Sequence, residues 1–159
     1  MDWWKAIKGK EIYEISFRLV SWTPPLPGWI KVNVDGSVKN EYIIAGGVIR
    51  KHDRSWVRSF SMNIGCGSVL TAELWGLLEG MKMAKEAGFK YVFVESDSAD
   101  AVSLVNGDLN PNQPCFQLAQ GCKNLVNDDW HCVVSHVLRE ENSLAVGLAN
   151  FGHLLERGI

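Results

Sequence analysis

Asp35, Glu73 and Asp97 are the residues of this chain whose types and surroundings best suit chemistry. Asp35 closes an alternating run, Trp29–Asp35, just before Gly36-Ser37. Asp97 stands at the C-terminal end of an apolar run, in Glu95-Ser96-Asp97-Ser98. Glu73 falls one turn into a long helical pattern, at the border of its apolar stripe, where it points toward the core rather than water. If the two runs are parallel neighbours in a sheet, their carboxylates share one edge. Carboxylates gathered in this way repel one another and need protons or cations. A set of oxygen ligands without histidine or thiolate favours Mg²⁺ or Mn²⁺ over zinc. Singly, each residue also has an ordinary use: Asp35 as a turn former, Glu73 as a charge favoured at a helix N-terminus, Asp97 as a helix N-cap.

The elements that must position these groups follow from hydrophobic period. In Trp29–Asp35, Ile30, Val32 and Val34 take one face and Lys31, Asn33 and Asp35 the other, which predicts a strand ended by Gly36-Ser37. Tyr42–Arg50 and Ser55–Asn63 are two further strands, so the first three form an antiparallel meander. Ser68–Ala87 is a long helix that buries Leu70, Leu74, Leu77, Leu78, Met81 and Ala84, and Gly88 stops it. Tyr91–Glu95 is a continuous apolar strand of the kind covered on both faces. Ser98–Asn106 and Pro114–Asn127 read as helices, Trp130–His136 as a fifth strand, and Asn142–Glu156 as a last helix with Asn142 as its N-cap. A meander followed by crossovers implies an α/β fold of mixed α+β character, with helices on a five-stranded mixed sheet.

The chain has 159 residues, 47% of them hydrophobic, which suits one globular domain with one sizeable core. No apolar run approaches the roughly 18 residues that span a bilayer. Met1–Lys10 holds Asp2, two tryptophans and three lysines, unlike a secretion signal, so an intracellular site in nucleus or cytoplasm is expected. Residues 1–28 form a separate segment. Trp3, Trp4, Ile7, Ile12, Ile15 and Leu19 suggest a loosely amphipathic helix, followed by a stiff linker, Thr23-Pro24-Pro25-Leu26-Pro27-Gly28. The domain proper is expected over 29–159. Cys66, Cys115, Cys122 and Cys132 show no C-x-x-C spacing and read as small buried or half-buried thiols. Trp56, Trp75 and Trp130 are expected in the core, and Lys39, Arg50, Lys51, Arg54 and Arg58 on solvated faces. The net charge of −2 argues against tight sequence-independent binding of nucleic acid.

Five runs, in order and at suitable spacing, carry a resemblance. They are Asn33-Val34-Asp35-Gly36-Ser37, Ala45-Gly46-Gly47-Val48-Ile49-Arg50, Thr71-Ala72-Glu73-Leu74, Val94-Glu95-Ser96-Asp97-Ser98 and His136-Val137-Leu138-Arg139-Glu140-Glu141-Asn142. From Trp29 to Phe151 the chain resembles type 1 ribonuclease H, most of all the plant reverse-transcriptase-associated branch often found as retrotransposon-derived genes. The resemblance implies the ribonuclease H-like fold, with strand order 3-2-1-4-5 and helices on both faces. It also implies two-metal hydrolysis of the RNA strand of RNA–DNA hybrids, with Mg²⁺ or Mn²⁺ as the ions. By this resemblance Asp35, Glu73 and Asp97 are the first three metal-binding carboxylates, and His136 a histidine that aids proton transfer or product release. Gly36 and Ser37 become candidate substrate contacts, with groove shape and 2′-hydroxyls deciding the choice of hybrid.

The departures from the family pattern matter as much. The fourth family carboxylate falls in R-E-x-N-x-x-A-D, and Val146 stands where that aspartate should be, in Arg139-Glu140-Glu141-Asn142-Ser143-Leu144-Ala145-Val146. Glu156, the next carboxylate, lies about three helical turns beyond it. The ion that activates the attacking water should therefore bind weakly. Ala99 removes one minor-groove contact, and Gly107–Gln113 lacks the basic insertion of some bacterial members. Three functions are consistent with this: a slow hybrid-directed ribonuclease, a nuclease-derived protein that holds hybrid or structured RNA but cleaves poorly, and a module that meets a protein partner through the N-terminal segment.

Overall fold

The computed structural model describes residues 22–152; the expected N-terminal helix and the last helix beyond Gly152, Glu156 included, lie outside them. The described elements run β1 (Ile30–Lys39), β2 (Tyr42–Lys51), β3 (Trp56–Cys66), α1 (Val69–Glu86), β4 (Tyr91–Ser96), α2 (Ala99–Asn106), α3 (Phe116–Val126), β5 (His131–His136) and α4 (Ser143–Gly152). The five strands form one sheet in the order β3-β2-β1-β4-β5. The meander is antiparallel, and β4 and β5 join it in parallel. No described helix is long and apolar enough to cross a membrane.

β1 does not stop at Gly36-Ser37 as expected. It pairs with β2 as far as Lys39↔Tyr42, and only its parallel pairing with β4 ends early, at Val34↔Ser96. Asn40 and Glu41 close the hairpin with φ of 51° and 69°, the two positive values that a two-residue turn matching strand twist requires. Asp35 is therefore mid-strand toward β2 but one residue beyond the last β4 partner. That places it at the mouth of the crevice between β1 and β4, where open α/β sheets place ligands.

Alternation sorts β1 into two faces. Val32 and Val34 meet α1: a Cβ built on Gly80 would lie 2.5 Å from Val34 Cγ1. Asp35 shares the opposite face with its partner Gly46, where a Cβ would lie 2.4 Å from Ala149 N of α4. The sheet is thus covered by helices on both sides. On the first side Leu74, Leu77, Met81 and Ala84 of α1 are fully buried against Val32, Val34, Val92 and Val94. Each large apolar side chain so buried contributes about 1.5–3 kcal/mol.

Helix ends follow local hydrogen bonding. Ser68 caps α1 through Thr71 N–H, and Ser98 caps α2 through Ala101 N–H. Asn142 occupies the N-terminal position of α4, its carbonyl accepting from Val146 N–H. Its side chain, however, turns away into the sheet rather than capping the helix, because a buried carbonyl there needs a donor. Three other expectations fail. Cys66, read as a buried or half-buried thiol, is exposed, because it ends β3 at the sheet edge. Trp56 is 65% exposed rather than in the core, since it begins a strand at the sheet edge. Arg50 is half-buried, stacked 3.8 Å over the Trp22 ring and held by Asn33, rather than solvated. The Pro-rich stretch is tied to the sheet: Lys31 Nζ donates to Thr23 O at 2.6 Å, and His52 Nδ1 lies 2.8 Å from Pro25 O.

Candidate metal centre

Asp35, Glu73 and Asp97 converge: one carboxylate oxygen from each lies within 4.8 Å of the others. β1 supplies the first, the second turn of α1 the second, and the turn after β4 the third. The close approach of α1 to β1 depends on Gly36. A Cβ there would lie 2.2 Å from the Ala72 carbonyl carbon and 2.4 Å from Glu73 N, so only glycine fits. Gly36 N–H then donates to Glu73 Oε2 at 3.1 Å, which aims that carboxylate toward Asp35. Gly76 serves the same packing one turn on, where a Cβ would touch Asp35 O at 3.0 Å.

The electrostatics are those of carboxylates crowded together at a largely buried edge. Asp35 is 1% exposed, and neither of its carboxylate oxygens accepts a hydrogen bond. Burial raises its pKa first, Asp97 raises it further, and Arg139 acts in the opposite sense. Burial raises Glu73 as well, with Asp35 and then Asp97 adding to the effect, while Gly36 N–H opposes it. A buried, undonated carboxylate is costly unless something neutralises it. A divalent cation bound by three oxygens would do so, and a donor set of carboxylates alone fits Mg²⁺ or Mn²⁺.

Around this core the remaining predicted residues are placed unevenly. His136 ends β5, exposed, with Nε2 3.2 Å from the Asp97 carbonyl oxygen. Gly36 is buried and its N–H already serves Glu73, while Ser37 beside it is half-buried. Val146 is half-buried on α4 and lines a largely apolar groove with Leu144, Leu148 and Phe151. Arg139 shares that groove and pairs with Asp97 Oδ2 at 3.3 Å. Asp97 is not the cap of α2, because the Ser98 hydroxyl fills that role.

Sequence reasoning missed a buried polar cluster directly beneath the carboxylates. Asn33, Glu95 and Asn142 are all nine-tenths or more buried and hydrogen-bonded together. The available signal was spacing: Asn33 and Glu95 each precede a site aspartate by two residues, which puts them on the same strand face.

The reverse transcriptase-like family model matches residues 33–152. A candidate ribonuclease H protein of Arabidopsis thaliana is 37% identical over 143 residues, which cover 89% of this chain. The chain spans 23% of that relative's length. The crystal structure of ribonuclease H1 from the halophilic archaeon Halobacterium salinarum matches with a TM-score of 0.72 at 22% identity, covering 79% of this chain and 97% of that one. LC11 ribonuclease H1, isolated from compost and solved in complex with an RNA/DNA hybrid, matches with a TM-score of 0.69 at 21% identity, covering 77% and 94% of the two chains. At those identities the likeness to the solved structures is one of fold.

Proposed function

This chain belongs to the reverse transcriptase-like family and carries a ribonuclease H-like domain, and on that premise we propose that it acts on RNA–DNA hybrids as a slow, divalent-metal-dependent ribonuclease. The observation that carries the proposal is Asp35, whose two buried oxygens have no donor and face two other carboxylates. Asp35, Glu73 and Asp97 would hold Mg²⁺ or Mn²⁺. When bound, such an ion stabilises negative charge developing on phosphate and leaving-group oxygens. The chain's own part is to preorganise the three carboxylates, which Gly36 does by donating to Glu73 and by letting α1 approach. His136, exposed beside Asp97, would aid proton transfer or product release. Ser37 is the residue of the Gly36-Ser37 pair proposed to meet the substrate. The Arabidopsis thaliana relative and the reverse transcriptase-like match are in keeping with a plant reverse-transcriptase-associated branch, and its retrotransposon origin is part of the proposal.

Val146 sets the expected rate. An isopropyl group offers no ligand, so an ion on that side of the centre would lose one of its carboxylates. The same observation favours a second reading, a nuclease-derived protein that holds hybrid or structured RNA and cleaves it negligibly. The protein-partner reading rests on residues 1–21, which lie outside the described residues.

A labelled RNA–DNA hybrid, incubated with Mg²⁺ and then Mn²⁺ beside Asp35→Asn and Val146→Asp variants, separates these readings. Cleavage by the native chain that Asp35→Asn abolishes supports the ribonuclease. Cleavage only by Val146→Asp supports the binding protein. Neither cleavage nor hybrid binding in any variant rejects both. The salt dependence of any binding reports how many phosphates the chain contacts.

A further inference from the structure

Asn33 and Glu95 are register partners on the parallel strands β1 and β4. Asn33 lies two residues before Asp35, on the same strand face and one pleat below it, and Glu95 lies two residues before Asp97, which stands in the turn that follows β4. The two side chains are joined directly: Asn33 Nδ2 donates to Glu95 Oε1 at 3.0 Å. Asn33 Nδ2 also donates to Asn142 Oδ1 at 3.2 Å, and Arg50 Nη2 donates to Asn33 Oδ1 at 3.3 Å. Asn142 Nδ2 in turn donates to Val34 O, the carbonyl next to Asp35, at 2.7 Å. Glu95 Oε2 pairs with Lys31 Nζ at 3.2 Å, and both side chains are about nine-tenths buried. Asn33 thus has its amide oxygen and nitrogen both engaged, while Asp35, one pleat above, has neither oxygen engaged.

Such a network is hard to explain by stability alone. Buried polar groups replaced as a set by apolar residues of similar volume often leave a fold as stable or more so. What the network supplies is direction. It links β1, β4 and the start of α4 by bonds of fixed length at the level just beneath the carboxylates. Apolar contacts would hold the same three elements together but let them slide.

We propose that Asn33 is a positioning residue for the metal centre, fixing through Glu95 and Asn142 where the strands that carry Asp35 and Asp97 end relative to each other and to α4. This rests on the reading of Asp35, Glu73 and Asp97 as metal ligands. Groups hydrogen-bonded directly to metal ligands typically govern affinity by about 10- to 100-fold, and this network, which reaches Asp35 only through the Val34 carbonyl, is expected to act at the lower end of that range.

The test is the Mn²⁺ affinity of the full chain, read from the electron paramagnetic signal of free Mn²⁺. Three proteins are compared: wild type, Asn33→Leu, and Met81→Ala. Met81 is fully buried in α1, two turns beyond Glu73, and its truncation destabilises the core without touching the network. Asn33→Leu is expected to weaken Mn²⁺ binding about tenfold or more, and Met81→Ala by less than about twofold at a comparable loss of melting temperature. Should Asn33→Leu fail to fold, Asn142→Ala, which keeps Asn33 and its bond to Glu95, is expected to show the same selective loss. Equal effects of the polar and core variants, or unchanged affinity in Asn33→Leu, overturn the proposal. Absence of Mn²⁺ binding by wild type overturns instead the metal-centre reading beneath it, so the two failures are told apart.

Discussion

Gly36→Ala is the sharpest test of how the centre is built. The added methyl would sit 2.2 Å from the Ala72 carbonyl carbon, 2.5 Å from its oxygen and 2.4 Å from Glu73 N. These are backbone atoms in the second turn of α1, so no rotamer change relieves the contact. To reach ordinary separation the start of α1 has to retreat by roughly 1 Å, which is the scale at which misplaced catalytic groups lose about 10²-fold in rate. The same retreat lengthens the 3.1 Å bond from Gly36 N–H to Glu73 Oε2 and removes Glu73 from the cluster. Overpacking of this kind typically costs about 1–3 kcal/mol. For a domain of this size that lowers the melting temperature by about 3–10 °C. The assay is thermal unfolding with and without saturating Mg²⁺, where Gly36→Ala is expected to lose both stability and the metal-induced rise. Gly121→Ala is the control: its nearest neighbour would be Leu78 Cδ1 at 3.9 Å, so in the middle of α3 it is expected to stabilise by about 0.5–1 kcal/mol. A Gly36→Ala protein as stable as wild type, with its metal response intact, would refute this picture of the β1–α1 approach.

Three further outcomes are expected. Val146→Asp should raise Mg²⁺-dependent hybrid cleavage at least about tenfold, since a carboxylate ligand returns to the weakened side; a rate unchanged from wild type would mean that α4 does not present position 146 to the centre. Burial lifts Asp35 from 3.8 to about 7 and Glu73 in the same direction, so the folded chain holds these protons more tightly than the unfolded one. Metal-free stability should therefore be fullest below about pH 4 as far as these groups are concerned and should fall as pH rises through 7, with saturating Mg²⁺ offsetting the fall; melting curves across that range in EDTA and in Mg²⁺ check the sign. Trp56→Ala should change stability by less than about 0.5 kcal/mol, because the ring is 65% exposed, and chemical denaturation measures it.

Much of this was legible in the chain itself, and the exceptions have physical causes. The α1 stripe and the helix stop at Gly88 are period and turn signals and appear as read, while the strand order came with the family resemblance and is the one observed. Asp35, Glu73 and Asp97 were legible because each is a charge beside an apolar run, before Gly36-Ser37, at the border of a helix stripe and just past a buried strand respectively. The end of β1 was misplaced because Gly36 looks like a turn residue. Its real role, admitting α1 at contact distance, depends on a helix more than thirty residues away. Asn142 looked like a cap for the same reason: the need of Val34 O for a donor is invisible in sequence. Arg50 looked solvated because nothing local announces that Trp22 and Asn33 will enclose it.

The central claim is that Asp35, Glu73 and Asp97 form a centre for a divalent cation, and calorimetric titration of the metal-free chain with Mn²⁺, beside Asp35→Asn, addresses it most directly. Wild type is expected to take up one ion at a saturable site and to release protons as it does so, because the raised carboxyls must ionise to bind. Asp35→Asn is expected to lose that site. No saturable binding by wild type, or binding that Asp35→Asn leaves unchanged, would contradict the claim.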